Sequence, residues 1–303
     1  MSVRTADRVR EVATELGYRE SSAYRQITTG PHHRIGLTIA DVSNPFYFDI
    51  LRGAEAQASK LNNSMLLMYA QESAAKERAN LNRLLPIIDG LIVASSQLSD
   101  TVLRSLSKTL PVVVLNRYIG GLPSVTPDTS HGMRQAITHL LTLGHSSVHY
   151  LAGPESSWIS GMRWLAVRTA AASMGFTAHR IGPVAPTVEG GASAVSLITN
   201  RRASAVICFN DLIAMGLMKA LITSGYSVPN DISLIGCDNV LPSDLVTPGL
   251  TTIAAPTSVL GDTAVKHIIA MLDGTKPQLT TPITIPVRLV VRGSTGACPK
   301  HRI

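Results

Sequence analysis

From residue 35 onward, short runs of apolar, β-favouring residues alternate with longer stretches whose apolar residues recur every three or four positions. The runs Ile35–Ala40, Met65–Tyr69, Gly90–Ala94, Pro111–Leu115, Val148–Leu151, Ala203–Cys208 and Ser233–Gly236 predict strands. Helical stripes lie between them. Phe48, Leu51, Ala54, Ala58 and Leu61 form the first, and Leu81, Leu84, Leu85 and Ile88 the second. Ile137, Leu140 and Leu141 follow, then Met215, Leu217, Met218, Leu221 and Ile222. Strands that are apolar almost throughout, each followed by a helix, belong to parallel sheets covered on both faces. These units exceed the needs of one short sheet, so the pattern predicts two doubly wound α/β lobes. Such lobes bind small molecules at the carboxyl ends of their strands, in the cleft between them.

Residues 1–34 break this rhythm. Thr5 suits an N-cap, Val9, Val12, Ala13 and Leu16 then fall at i, i+3, i+4 and i+7, and Gly17 suits the C-terminal cap. This predicts one amphipathic helix, too short to be stable without partners. The polar segment Glu20–Gly30 follows, with Ala23 and Ile27 one turn apart, and Gly30-Pro31 ends it. It reads as a small linker helix.

Composition narrows the class. The chain has 303 residues, 45% of them hydrophobic, which is ample for a core and unlike a disordered chain. No apolar run reaches the ~18 residues of a membrane helix, and the N-terminus lacks the apolar core of a signal peptide. Cys208, Cys237 and Cys298 stand too far apart for a disulfide framework or a CxxC metal site. A soluble cytoplasmic protein is therefore expected, with no membrane, metal or cofactor. The net charge of +7 hints at a polyanion, but residues 1–34 carry six Lys/Arg against four Asp/Glu, and the remaining excess is spread over the core.

Catalytic patterns are missing. There is no HExxH, GxSxG or P-loop, and the glycine pairs at 120–121 and 190–191 lack the dinucleotide-binding spacing. Cys208, in an apolar strand, reads as core, and Cys237 as packing beside Asp238. An enzyme is not expected.

Ten segments, in order, resemble the LacI/GalR (lactose/galactose-repressor) family of bacterial transcription regulators. TADRVREVATELGY and AYRQITTG are similar to its last headpiece helix and its hinge segment. IGLTIADVSNPFYFDILRG, IIDGLIVASS, PVVVLNR and ITHLLTLGHSSVHYLAGPESS are similar to the first part of its core. AVICFNDLIAMGLMKAL, SGYSVPNDISLIGCDN, TPGLTTIAAP and PVRLVVRGST continue the series, and the likeness spans residues 3–296. The resemblance implies a periplasmic-binding-protein-like core preceded by a partial helical headpiece and a hinge. On this reading residues 1–19 are the remnant headpiece and 20–34 the hinge. Residues 35–127 with 256–280 form the N-terminal lobe, 128–255 with 281–296 the C-terminal lobe, and 297–303 a tail. Crossovers are expected near 127, 255 and 280. The helix Val259–Leu272 returns to the first lobe, and Pro286–Arg292 adds a strand to the second.

The same resemblance implies roles. Ile27 takes the place of the leucine that hinge helices insert between base steps in the minor groove, and Arg25 and Arg34 suit phosphates. Glu20 and Tyr24 depart from the usual proline and alanine there. Arg163, Asn210 and Asp238 match effector-contacting positions, and Asp211 is expected to cap the helix that follows. Read from the residues themselves, Asn44, Phe46 and Tyr47 after the first strand and Trp158 in a cleft loop are the other expected effector contacts, with Asp128, His131 and Arg117 weaker candidates. Near VAPTVEGG, where some members carry a stacking aromatic, this chain has small residues. The expected function is a regulator, in the repressor sense, that forms a homodimer and couples a small effector to operator DNA. A sugar is the default effector, with a nucleobase or a phosphorylated sugar as alternatives. The family's helix-turn-helix is not matched by the sequence. Either the protein is longer, or it is a headpiece-less ligand-binding protein, acting as a sugar receptor or through mixed dimers.

Overall fold

The computed structural model describes residues 33–275 and 281–299, together with Thr5 and Val12. The two isolated residues are helical and exposed. Ile27 and Arg25 lie outside the described residues, as does the rest of the expected headpiece and hinge.

The first lobe runs through β1 (Arg34–Ile39), α1 (Pro45–Lys60), β2 (Ser64–Tyr69), α2 (Ala74–Leu84), β3 (Gly90–Ala94), α3 (Asp100–Leu106), β4 (Val112–Leu115) and β5 (Ser124–Pro127). The chain then crosses to α4 (Thr129–Thr142), β6 (Ser147–Leu151), α5 (Trp158–Ser173), β7 (Thr177–Ile181), α6 (Val188–Ala192), α7 (Val195–Thr199) and β8 (Ala205–Cys208). It continues through α8 (Asp211–Thr223), β9 (Ser233–Asp238), α9 (Pro242–Leu245) and β10 (Thr251–Ala254). Next, α10 (Thr257–Leu272) returns to pack on α1, and β11 (Ile283–Ile285) and β12 (Arg288–Val290) close the topology.

Each lobe holds a six-stranded sheet. The orders are β11-β5-β4-β3-β1-β2 and β12-β10-β9-β8-β6-β7, so one strand order is used twice. All pairings are parallel except that of β12 with β10. In β3, Leu91 and Val93 pack into one hydrophobic cluster, while Ile92 and Ala94 pack into the other. A strand buried on both faces needs apolar residues at every position, which is why its sequence is continuous rather than alternating.

Several expectations need correction. β11 pairs with β5, with Ile283 opposite Val125, so residues 283–285 belong to the first sheet. The third crossover is thus Pro286-Val287 rather than a point near 280, while β12 joins the second sheet as expected. In α1 the buried face is Tyr47, Ile50, Ala54 and Ala58, and Phe48 is 53% exposed. Both stripes have helical spacing. Ala54 and Ala58 belong to both, and the inward face runs through Tyr47 and Ile50 rather than Phe48 and Leu61 because α10 lies against that side. β5, β7 and β10 are absent from the sequence-based strands. Their sequences, SVTP, TAHRI and TTIA, are short and rich in hydroxyl or polar residues. In β10 both threonines are fully buried and hydrogen-bonded, which removes the cost of burying a hydroxyl.

The chain end is stapled to the second sheet. Ser294 Oγ accepts from Thr251 N at 2.8 Å and donates to Leu234 O at 2.7 Å. His145, 2% exposed, lies within 3.2 Å of Ser204 Oγ, Ser233 Oγ and Gly296 O. Burial lowers its pKa, so the neutral imidazole acts as a structural bridge. Among the described residues no helix is long and apolar enough to cross a membrane.

Candidate functional site

The carboxyl ends of both sets of strands face one cleft, and its second-lobe wall is built around an ion pair. Arg163 projects from α5 and Asp238 ends β9, where the backbone turns left-handed at Asp238 and Asn239. Arg163 Nη2 lies 2.6 Å from Asp238 Oδ1, and both side chains are about nine-tenths or more buried. The other guanidinium nitrogen, Nη1, donates to the Phe209 carbonyl, and the guanidinium sits 5.1 Å from the Phe209 ring centroid. Burial opposes the charge on Arg163, but Asp238, Cys237 and Tyr150 together outweigh it and the guanidinium stays charged. Burial likewise pushes the Asp238 carboxyl up, and Arg163 pulls it back. Gly153 makes this stacking possible, because a Cβ there would stand 2.5 Å from the Phe209 ring.

Asn210, not Asp211, caps the helix that follows. Asn210 is the N-cap of α8: its Oδ1 accepts from Ile213 N at 2.9 Å, and its Nδ2 donates to Pro186 O at 3.2 Å. It still lines the cleft, but as a largely engaged group. Asp211 is not the cap. It is buried, and its Oδ2 accepts from Val240 N at 2.9 Å and Ser243 Oγ at 2.6 Å. Its Oδ1 accepts from Thr252 Oγ1 at 2.6 Å. It therefore ties the start of α8 to the segment after β9, to α9 and to β10. Burial is the main reason its pKa rises to about 7, with Asp238 adding to the rise and the three donors opposing it. Gly236 allows the approach, since a Cβ there would lie 2.1 Å from Asp211 Oδ1.

The first-lobe wall comes from the loops that follow β1, β2, β3 and β4. Asn44 caps α1, accepting from Phe46 N at 3.0 Å, with Pro45 in the first turn. Phe46 and Tyr47 form an edge-to-face pair, 5.2 Å between centroids at 84°, and both line the cleft. Tyr47 bonds Ser95, and burial pushes its phenol well up. Ser95 and Asn116, both left-handed, directly follow β3 and β4, and Asn116 Nδ2 donates to Ser95 Oγ at 3.0 Å. Glu72 and Gln97 complete the wall. Glu77 on α2, fully buried, holds the loop after β3 by accepting from Gln97 N at 3.0 Å.

Of the expected contacts, Asn44, Phe46, Tyr47, Arg163, Asn210 and Asp238 meet in this cleft. Trp158 does not line it. As the first residue of α5 it packs, half-buried, against the core, while its neighbours Ser157 and Ile159 face the cleft. Asp128 caps α4 by accepting from His131 N at 2.9 Å. Arg117 pairs with Asp100, and Arg34 with Asp89. Cys208 and Cys237 are buried, and burial pushes the Cys237 thiol up to about 12, which suits packing rather than reactivity. Glu72, Ser95, Gln97, Asn116 and Phe209 are the residues that sequence reasoning missed. Ser95, Asn116 and Phe209 each directly follow a strand, so the rule on carboxyl ends of parallel strands pointed to them. Nothing local marked Glu72 or Gln97.

The free volume at this cleft is about 40 Å³, far below the ~300–1,000 Å³ of ordinary ligand pockets. As the walls stand, the cleft is too small to hold a sugar-sized ligand.

Residues 137–295 match the profile of the periplasmic binding protein-like domain family. The HTH-type transcriptional regulator GalR of Escherichia coli K12 is 30% identical over 281 residues, covering 90% of this chain and 82% of that protein. A LacI family transcriptional regulator from Enterococcus faecium, solved with bound ribose, is 28% identical with a TM-score of 0.77, covering 87% of this chain and 98% of that one. A periplasmic binding protein/LacI transcriptional regulator from Alkaliphilus metalliredigens, complexed with D-xylulofuranose, is 25% identical with a TM-score of 0.79, covering 87% and 99%. The repeated strand order, the cleft lined by Arg163 and Asp238 and these likenesses agree, and the chain belongs to the LacI/GalR family of transcription regulators.

Proposed function

We propose that this chain is a repressor-type regulator that binds a small polyhydroxylated effector, a sugar, between its lobes and couples that binding to operator DNA. The observation that carries this reading is the buried Arg163–Asp238 pair in the wall of the interlobe cleft. A forked guanidinium and a carboxylate fixed against each other present donors and acceptors in one geometry, which is what recognition of vicinal hydroxyls requires. Phe46, Tyr47 and Phe209 add apolar surface for the carbon face of a sugar ring. The ribose and D-xylulofuranose bound to the two solved relatives support the sugar class.

Coupling follows from the connections. Three short crossovers, after β5, β10 and β11, join the lobes, so parting and closing them is a hinge motion. In a homodimer this motion shifts one N-terminal segment against the other. Effector and operator then oppose or assist each other according to the arrangement each prefers.

A thermal-shift screen against sugars and purines, repeated with Arg163→Ala and Asp238→Ala, tests the site. The expected result is a pentose or hexose that raises Tm in the wild type and in neither variant. A compound whose effect survives both substitutions unchanged refutes it.

A further inference from the structure

The cleft is unevenly supplied with charge. Its lining holds two carboxylates, Glu72 and Asp238, against one guanidinium, Arg163. That guanidinium is already engaged by Asp238 and by the Phe209 carbonyl. Glu72, at the opposite wall, has no ion pair among the described residues. Its side-chain partner is the Gln97 amide, whose Nε2 donates to Oε2 at 3.2 Å. Partial desolvation within the cleft raises the Glu72 pKa, and the negative potential of Asp41 adds to the rise.

A second, separate observation comes from Asn116 on the same wall. It is 5% exposed, and its amide nitrogen serves Ser95, but its carbonyl oxygen Oδ1 has no partner. Buried polar atoms are nearly always paired, so one left over calls for a partner that the chain itself does not supply. An unpaired buried acceptor and an uncompensated carboxylate in the lining of one cleft call for a donor that carries positive charge.

We propose that the first-lobe wall, centred on Glu72 and Asn116, is a subsite for a protonated amine, so that the effector is an amino sugar rather than a neutral or phosphorylated one. This rests on the sugar-cleft reading above and deepens it. An ammonium offers three donors and no acceptor, which suits a carboxylate and an amide carbonyl together. A phosphate or carboxylate ligand would meet two carboxylates and no unengaged cation among the described residues lining the cleft, which is unfavourable at low local dielectric.

The test uses the full chain at pH 7 and isothermal titration. The probes are D-glucosamine, D-galactosamine and D-mannosamine, each set against its neutral parent hexose, its N-acetyl derivative and its 6-phosphate. The expected result is that one amino sugar binds at least about tenfold tighter than its parent and its N-acetyl form. Glu72→Gln collapses that ratio toward one without lowering the Tm of the ligand-free protein, since Glu72 is exposed enough to be replaced without unfolding. A neutral, N-acetylated or phosphorylated form binding as tightly as the amino sugar overturns the proposal, as does an unchanged ratio in Glu72→Gln. Binding of a neutral hexose alone, lost in Arg163→Ala, overturns the amine subsite and leaves the sugar cleft standing. Silence from every compound up to about 10 mM counts against both.

Discussion

The two walls of the cleft are built on the same strand order but are finished differently. On the second lobe, polar groups answer one another. Arg163 meets Asp238 and the Phe209 carbonyl, Asp211 takes three donors, and Asn210 caps its helix. On the first lobe, Glu72 faces the cleft without a cation and Asn116 keeps an unpartnered oxygen, among the described residues. A satisfied wall is rigid and holds its shape when the lobes part. An unsatisfied wall has atoms whose pairing a ligand can complete, so selectivity belongs there. Recognition is thus divided between a preorganised half and a responsive half.

This contrast can be broken by mutation, and the largest effect belongs to the second lobe. Arg163→Ala leaves Asp238 and the Phe209 carbonyl buried without their partner, and loss of one member of a buried pair costs about 3–5 kcal/mol. Urea unfolding at pH 7 measures it. A loss below about 1 kcal/mol would show that the wall is not held by its own ion pair.

Asp211 provides a pH-dependent comparison. Its folded pKa of about 7 lies above its ordinary value of 3.8, so between those values the folded state keeps a proton that the unfolded state has lost. Stability therefore falls as pH rises from about 4 to 7, by up to about 4 kcal/mol from this group alone. Asp211→Asn removes that slope, because the amide keeps an acceptor for Val240 and Ser243 and a donor for Thr252. Unfolding free energies of wild type and variant should converge at low pH and diverge in favour of the variant toward pH 8. Parallel curves would refute the buried protonated carboxyl.

The smallest stability effect belongs to the first lobe. Asn116→Ala removes one hydrogen bond, to Ser95, along with an oxygen that had no partner, and puts alanine at a left-handed backbone position, so it should cost about 1–2 kcal/mol. Its effect should appear instead as weaker effector binding in titration. A large loss of stability with unchanged affinity would make Asn116 structural and erase the difference between the walls.

The second-lobe pair was legible in the sequence as positions, because Arg163 and Asp238 stand beside recognisable segments. Their partnership was not, since 75 residues separate them and they meet only in the folded second lobe. Asn210 and Asp211 show the limit at finer scale. Adjacent residues at a helix start are both credible caps, and the choice depended on where Val240, Ser243 and Thr252 arrive from elsewhere in the lobe. Trp158 failed for a related reason: on a helix, one position of rotation decides between cleft and core. Phe48 yielded to Tyr47 and Ile50 because the packing of α10, not the local stripe, selects the face.

By itself the sequence determined the succession of apolar strands and amphipathic helices, hence two parallel sheets covered on both faces, and the family to which the order of segments belongs. These are local properties, written in periodicity and neighbouring residues. Tertiary structure alone decided that β11 completes the first sheet, and that one cleft wall is satisfied while the other is left with an unpaired oxygen and an uncompensated carboxylate. Hydrogen bonding and charge compensation depend on which distant groups meet, and no spacing along the chain encodes that.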